Sequence, residues 1–304
     1  MKILLFGKSG QLGWELQRSL ATVGVLDTLD VEDRGGRWGD FSEPERLAET
    51  IKLVSPNFIV NSAAHTAVDK AQSEPDFVKS INAMAPSVLA RSARECGAWL
   101  VHYSTDYVFD GSGHHFRKEN EAMGPLSVYG KTKLEGEEAI RTSGCKHLIF
   151  RTSWVYAARG ANFAKTMLRL AQERDTLSVI DDQIGAPTGA ELLADVTAHA
   201  IRFVQSNPAA GGTYHLVAGG ETSWHGYAQY VLQCARELGV KLKVQPEDIV
   251  AIPTSAYPTP ARRPLNSRLD TSKIKATFGV HLPDWRLGVM RMLREIHGRN
   301  CARS

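Results

Sequence analysis

Cysteine is scarce in this sequence. The four present in 304 residues, Cys96, Cys145, Cys234 and Cys301, lie too far apart for a zinc-ligand pair or a compact disulfide framework. They are expected to be free thiols in a reducing compartment. Long apolar runs are also missing: the longest, Trp154 to Ala158, falls far short of the roughly 18 residues that span a bilayer. Lys2 to Phe6 meets Gly7 at once, so the opening stretch is shorter than the roughly 7 to 15 residues of a signal h-region, and the cytoplasm is the expected location. An excess of either charge is lacking, with 36 Lys plus Arg against 33 Asp plus Glu, a net +3. The basic residues are scattered and form no stripe for a phosphate backbone, so neither nucleic acid nor a membrane is an expected partner. No internal repeat or low-complexity tract interrupts the chain.

What is present is a globular composition, 43% apolar and 23% charged, enough to build a sizeable core. Short runs rich in β-formers alternate with helical patterns: Lys2 to Phe6, Val25 to Leu29, Asn57 to Asn61, Trp99 to Ser104 and His147 to Arg151 are predicted strands. Leu12, Leu16 and Leu20 recur at helical spacing, as do apolar residues from Phe77 to Arg94. This alternation predicts an α/β fold with a Rossmann-like, doubly wound parallel sheet. Past residue 150 the rhythm changes: a helix is expected over Asn162 to Glu173, strands near Leu177 to Ile180 and Thr213 to Val217, and a helix near Trp224 to Leu238. The division expected is a dinucleotide-binding domain over 1–150, with segments near 180–210 returning to it, and a smaller α/β substrate-binding domain made mainly of 151–304. Four of the 13 prolines fall between Pro253 and Pro264, which predicts an extended loop lying over a site.

Gly7-Lys8-Ser9-Gly10-Gln11-Leu12-Gly13 lies between the first strand and the first helix, where a dinucleotide pyrophosphate meets helix N-terminal amides. The spacing is one residue longer than the usual glycine fingerprint, and a plain Gly-rich turn is the structural alternative. Asp30 follows at the end of the second strand, near the offset at which a carboxylate accepts from the adenosine ribose. That favours NADH, but Arg34 and Arg37 in the Glu32 to Gly39 loop could neutralise a 2′-phosphate, so NADPH or NADH is expected.

Tyr129 and Lys133 form Y-x-x-x-K, which puts a phenol and an ammonium on one helix face. A phenolate at pH 7 costs about 4 kcal/mol, and a neighbouring cation would reduce that and allow proton exchange with a substrate oxygen. Ser104-Thr105-Asp106-Tyr107-Val108-Phe109 ends a buried strand at the carboxyl edge of the sheet, where Thr105 could hydrogen-bond both substrate and Tyr129.

With these residues in place the chain resembles the extended short-chain dehydrogenase/reductase superfamily, and within it the dTDP-4-dehydrorhamnose reductase family. The resemblance runs through Gly7 to Gly13, Asn61 to Lys70, Ser104 to Phe109, Tyr129 to Lys133, Phe150 to Tyr156, Asp182 to Thr188 and Ala261 to Pro264. It implies NAD(P)H-dependent reduction of dTDP-4-dehydro-β-L-rhamnose to dTDP-β-L-rhamnose, the last step of making this activated deoxysugar for bacterial surface polysaccharides. It further implies Tyr129 as proton donor, Lys133 as its electrostatic partner and Thr105 as the group tuning it. Cofactor contacts would come from Gly7, Gly10, Gln11, Leu12, Gly13, Asp30, Asp40, Phe41, Ala64, His65, Thr66, Tyr103, Tyr129 and Lys133. The dTDP-sugar would meet Thr105, Asp106 and Trp154, and Arg262 and Arg263 in the Pro-rich loop could clamp its diphosphate. Glu15 and Glu191 match acidic positions that resemble a magnesium-linked homodimer contact. Two other functions stay open: a non-catalytic nucleotide-binding subunit like the regulatory subunit of methionine adenosyltransferase, and a related nucleotide-sugar epimerase or dehydratase.

Overall fold

A computed structural model describes residues 1–31 and 36–298; Arg34 and Cys301 lie outside the described residues. The first half reads β1 (Lys2–Phe6), α1 (Gln11–Leu20), β2 (Val25–Leu29), α2 (Glu45–Val54), β3 (Phe58–Asn61), α3 (Val68–Ala71), α4 (Pro75–Lys79), a π-helical turn (Ser80–Met84), α5 (Ala85–Cys96), β4 (Trp99–Thr105), α6 (Val128–Ser143) and β5 (Lys146–Thr152). The second half adds β6 (Val155–Tyr156), α7 (Phe163–Glu173), β7 (Ser178–Ile180), β8 (Ile184–Gly185), β9 (Thr188–Gly189), α8 (Ala190–Ser206), β10 (Gly212–His215), β11 (Thr222–Ser223), α9 (Trp224–Glu237), β12 (Val250–Ile252), α10 (Ser272–Phe278) and α11 (Trp285–His297).

Six strands form one parallel sheet in the order β10-β5-β4-β3-β1-β2, and β3 returns on the far side of β1 from β2. That reversal is the switch point at which open α/β sheets leave a crevice at their carboxyl edge. The register places Phe6, Leu29, Asn61, Thr105 and Thr152 along this edge. Side chains alternate across the sheet: Ile3, Leu5, Val60 and Val101 pack with Leu16 of α1 and Leu193 of α8, while Leu4, Phe6, Ile59 and Leu100 pack with Leu47 of α2 and Leu89 of α5. Burial on both faces explains why the strands are continuous apolar runs.

Two expectations are corrected. Thr213 to Val217, grouped by sequence rhythm with the second half, supplies β10, the sixth strand of the main sheet beside β5. The helix expected from Phe77 to Arg94 is interrupted by the π turn. Pro86 has no N–H to offer the Asn82 carbonyl one turn before it, and Gly136 of α6 packs there, where a Cβ would come within 2.3 Å of Asn82 O.

A separate core gathers Leu168, Val179, Tyr227, Val231, Trp285 and Val289 from α7, β7, α9 and α11. The segment from Pro253 to Pro264 holds one short 3-10 turn, Thr254–Ala256, and otherwise no regular structure, as its prolines predict. Among the described residues no helix is long and apolar enough to cross a membrane. Cys96, Cys145 and Cys234 are free thiols.

Candidate active site

The glycine turn is built by close backbone approach. Gly7 has φ +83°, and a Cβ there would meet Ala63 N at 2.8 Å; a Cβ on Gly13 would sit 1.9 Å from Gly7 O. Gly10 occupies the N-cap of α1 with no side-chain cap, so the helix N-terminal amides face the switch-point crevice without competition from a local side chain. This is the cradle a pyrophosphate requires. Gln11 Oε1 accepts from Asn162 Nδ2 at 3.2 Å, tying the turn to the second half, and Leu12 is half-buried against the core.

Asp30 accepts from Ser9 N at 2.8 Å and from Ser9 Oγ through one oxygen, and from Val31 N at 2.9 Å through the other. Its carboxylate therefore braces the glycine turn. Arg37, expected near a 2′-phosphate, instead pairs with Asp27. Asp40 caps Ser42 N at 2.8 Å, and Phe41 is buried edge-on to Phe6. After β3, the chain from Ala63 to Thr66 is fastened by Asn82, which accepts from His65 N at 2.9 Å and donates to His65 O at 3.1 Å. Ala64 is half-buried and Thr66 exposed, and His65 Nδ1 is buried without a protein partner.

At the end of β4, Thr105 Oγ1 donates to Asp106 Oδ1 at 3.0 Å and accepts from Tyr107 N at 3.2 Å, and the Thr105 hydroxyl is close enough to Tyr129 to act on its phenol. Burial pushes the Tyr129 phenol up to about 12, the Thr105 hydroxyl pulls it down, and the Asp106 charge adds to the rise. Asp106 is buried with Oδ2 unpartnered, and burial pushes its carboxyl up to about 6 while the nearby Ser267 and Thr105 hydroxyls pull it back down. Lys133 does not act on Tyr129 as the spacing predicts. In the ligand-free chain its Nζ donates to Tyr103 O at 2.6 Å and contacts His102 Nε2 at 3.1 Å, and burial pushes it down to about 8. A four-carbon stem long enough to reach the neighbouring strand has satisfied itself there. Tyr103 meets this site through its carbonyl only; its hydroxyl bonds Thr197 of α8, 2.6 Å away.

A cleft of about 780 Å³ is lined by Phe163, Met167, Gln183, Trp224, Tyr257 and Arg263 among others. Trp154 has φ +50°, a left-handed conformation rare for a bulky residue, and its ring stacks on Trp224 with centroids 3.7 Å apart. Arg263 is bidentate to Asp69 at 2.7 and 3.1 Å, which fastens the Pro-rich loop to α3, whereas Arg262 is exposed. Tyr107 stands edge-on to Tyr129 with ring centroids 5.5 Å apart and feels the charge of Arg263, which lines this cleft.

This geometry can be set beside known proteins. A family model described as the RmlD substrate binding domain matches residues 1–297. The chain is 59% identical to a dTDP-4-dehydrorhamnose reductase of Shigella flexneri over 97% of this chain and 98% of the relative. It is 60% identical to that of Salmonella typhimurium, with the same coverage. This chain belongs to the dTDP-4-dehydrorhamnose reductase family. Among solved members, the reductase of Clostridium acetobutylicum superposes with a TM-score of 0.86 at 34% identity, covering 97% of this chain and 99% of the other. The reductase of Bacillus anthracis in complex with NADP gives 0.85 at 30% identity with the same coverage.

In this member of the reductase family the magnesium expectation gains no support. Glu15 pairs with Arg18 and Glu191 with Arg291, each at 3.3 Å, and among the described residues no group of three or more His, Cys, Asp or Glu could hold a metal ion. Sequence reasoning passed over Asn61, Asn82, His102, Ser267 and Trp224. A signal existed for two of them: Asn61 and His102 are polar residues inside the apolar runs of β3 and β4. Asn82, Ser267 and Trp224 reach the site from distant segments and carry no local pattern.

Proposed function

We propose that this protein reduces dTDP-4-dehydro-β-L-rhamnose to dTDP-β-L-rhamnose at the expense of NADPH or NADH, with Tyr129 as the acid. The observation that carries the reading is the Tyr129 phenol beside Thr105 at the carboxyl edge of the sheet, within a chain of the reductase family. The cofactor would be held by the turn from Gly7 to Gly13, by Asp30, Asp40 and Phe41, and by the Ala64 to Thr66 loop, with Lys133 on the ribose next to the nicotinamide. The uncapped start of α1 and the close approach of Gly7 to Ala63 fit a pyrophosphate there. When bound, a reduced nicotinamide supplies the hydride to C4 of the sugar.

The chain's own residues supply position and a proton. Because burial holds the phenol at about 12, Tyr129 stays protonated throughout the physiological range and is ready to donate to the developing alkoxide. At rest the Thr105 hydrogen is committed to Asp106. As the phenolic proton passes to the sugar oxygen, the Thr105 hydroxyl can turn its hydrogen to the new phenolate, lowering the cost of ionisation. Asp106 and Trp154 would orient the sugar, and Arg263 would leave Asp69 for the diphosphate. We assign the cofactor chiefly to residues 1–150 with α8, and the sugar nucleotide chiefly to 151–304.

The test is direct. The purified protein is incubated with dTDP-4-dehydro-β-L-rhamnose and either reduced nicotinamide, following loss of absorbance and identifying the product. Formation of dTDP-β-L-rhamnose is expected; inertness with both cofactors overturns the assignment and moves weight to a binding subunit.

A further inference from the structure

Beneath the proposed cofactor site three polar side chains form a buried line that crosses from β3 to α6. Asn61 and His102 are register partners on neighbouring strands, and Asn61 Nδ2 lies 3.0 Å from His102 Nδ1. On the other side of the ring, His102 Nε2 lies 3.1 Å from Lys133 Nζ. All three residues are at most 2% exposed, so no solvent mediates between them.

The direction of this line follows from donors and acceptors alone. The backbone N–H of Ala63 can only donate, and it donates to Asn61 Oδ1 at 3.0 Å. That fixes the amide: Oδ1 faces Ala63, and the NH2 group faces His102. His102 Nδ1 must then accept, so the neutral ring carries its proton on Nε2 and points that N–H at Lys133. An ammonium offers only donors, and would set N–H against N–H. A neutral amine fits instead: its lone pair accepts from His102 Nε2–H while one of its hydrogens goes to Tyr103 O at 2.6 Å. An imidazolium is disfavoured by burial, which pushes His102 well below its usual range.

We propose that His102, oriented by Asn61, is a positioning residue that holds Lys133 as a neutral amine on β4 in the ligand-free chain. Lys133 then gains a proton when it leaves the imidazole for the cofactor. The step is a proton uptake: the Nε2–H···Nζ hydrogen bond breaks, one proton passes from solvent to the Nζ lone pair, and the ring keeps its own proton. Burial of Lys133, which pushes it down to about 8, works in the same direction. The titratable groups that act on Nζ are His102 from β4 and Glu137 on its own helix. Glu137 and Arg151 neutralise each other at 2.7 Å, and Asn61 and Asn82 do not ionise. The loop after β3 and the charge of the Y-x-x-x-K lysine are thereby linked through Ala63, Asn61 and His102.

The inference rests on the reductase reading only for what draws Lys133 away, so its first test uses the free protein. In the full chain labelled with 15N-histidine, long-range proton–nitrogen correlation at pH 8.5 is expected to show His102 protonated on Nε2 and bare on Nδ1. A ring protonated on Nδ1, or on both nitrogens, overturns the proposal. Assignment comes from loss of the signal in His102→Gln. Calorimetry of NADPH binding at pH 8.5, in buffers of different ionisation heat, is expected to show close to one proton taken up per site. Asn61→Asp reverses the line: the carboxylate still accepts from Ala63 and now accepts from His102 Nδ1–H, freeing the Nε2 lone pair for an ammonium. Uptake should fall below a third of a proton, and the Lys133 titration followed by 13Cε should move up at least tenfold in proton affinity. Equal uptake in both proteins overturns the proposal, and if Asn61→Asp does not fold, the wild-type tautomer decides. Failure of NADPH to bind counts against the reductase reading and leaves the tautomer result standing.

Discussion

Replacing Asp106 by Asn should stabilise the protein while harming its proposed function, and the size of the gain follows from the site. Asp106 is 2% exposed, with Oδ1 satisfied by Thr105 and Oδ2 buried without a protein partner. Burial raises its carboxyl from 3.8 to about 6, so its ionised form costs the folded chain about 3 kcal/mol at about 1.4 kcal/mol per pH unit. The sign is that of a group whose folded value lies above its unfolded value. The stability associated with the bound proton is fully present below about pH 4 and is lost as pH rises through about 6. At pH 8 the wild type therefore carries the whole penalty, and at pH 5 about half of it. Asn keeps the shape and cannot ionise, so urea unfolding should show Asp106→Asn more stable by up to about 3 kcal/mol at pH 8. The advantage should shrink by about half at pH 5. The same variant should raise KM for the sugar nucleotide, since a carboxylate aimed at the proposed substrate site is lost. A variant no more stable than wild type at pH 8, or a gain that does not change with pH, would refute the reasoning.

Tyr129→Phe should lower turnover by about 10² to 10⁴, the usual contribution of a general acid, with little change in cofactor affinity; wild-type turnover at saturating substrate would mean that another group is the acid. Gly13→Ala places a Cβ 1.9 Å from Gly7 O, so the turn must shift. NADPH affinity measured by fluorescence titration should fall at least about fivefold, the equivalent of the low end of an overpacking cost of about 1 to 3 kcal/mol. Asp30→Ala releases both the Ser9 backbone N–H and its hydroxyl, and should weaken NADH more than NADPH because a charge repelling a 2′-phosphate goes with it; unchanged Michaelis constants for both would make Asp30 a turn residue only. Arg263→Ala should raise KM for the sugar nucleotide about tenfold, in line with a charge-assisted contact of about 1.5 to 3 kcal/mol, and Arg262→Ala by less. If neither changes KM while Trp154→Ala raises it, the Pro-rich loop does not clamp the diphosphate.

Sequence by itself determined the elements whose signal is local. The five apolar runs became β1 to β5 because strands covered by helices on both faces are mostly apolar and rich in β-formers, and that pattern is legible one residue at a time. The glycine turn and the Tyr129 to Lys133 spacing were legible for the same reason, since a close backbone approach and one helical turn are short-range facts. Only the tertiary structure decided which side chains meet. The 212–215 strand joined the main sheet because β5 offered an open edge, which no property of its own residues announced. Lys133 shares a helix face with Tyr129, yet its long stem found Tyr103 O and His102 on β4, since a buried amine settles on whatever hydrogen-bonding groups its neighbours present. The π turn at Asn82 needed both Pro86 in its own helix and Gly136 in another. Arg263 met Asp69 from 194 residues away because a proline-rich loop, without helix or strand bonds of its own, takes its course from what it lies on. Periodicity reports the face a residue turns to the core, but partners across the fold depend on packing between segments that the chain order does not relate.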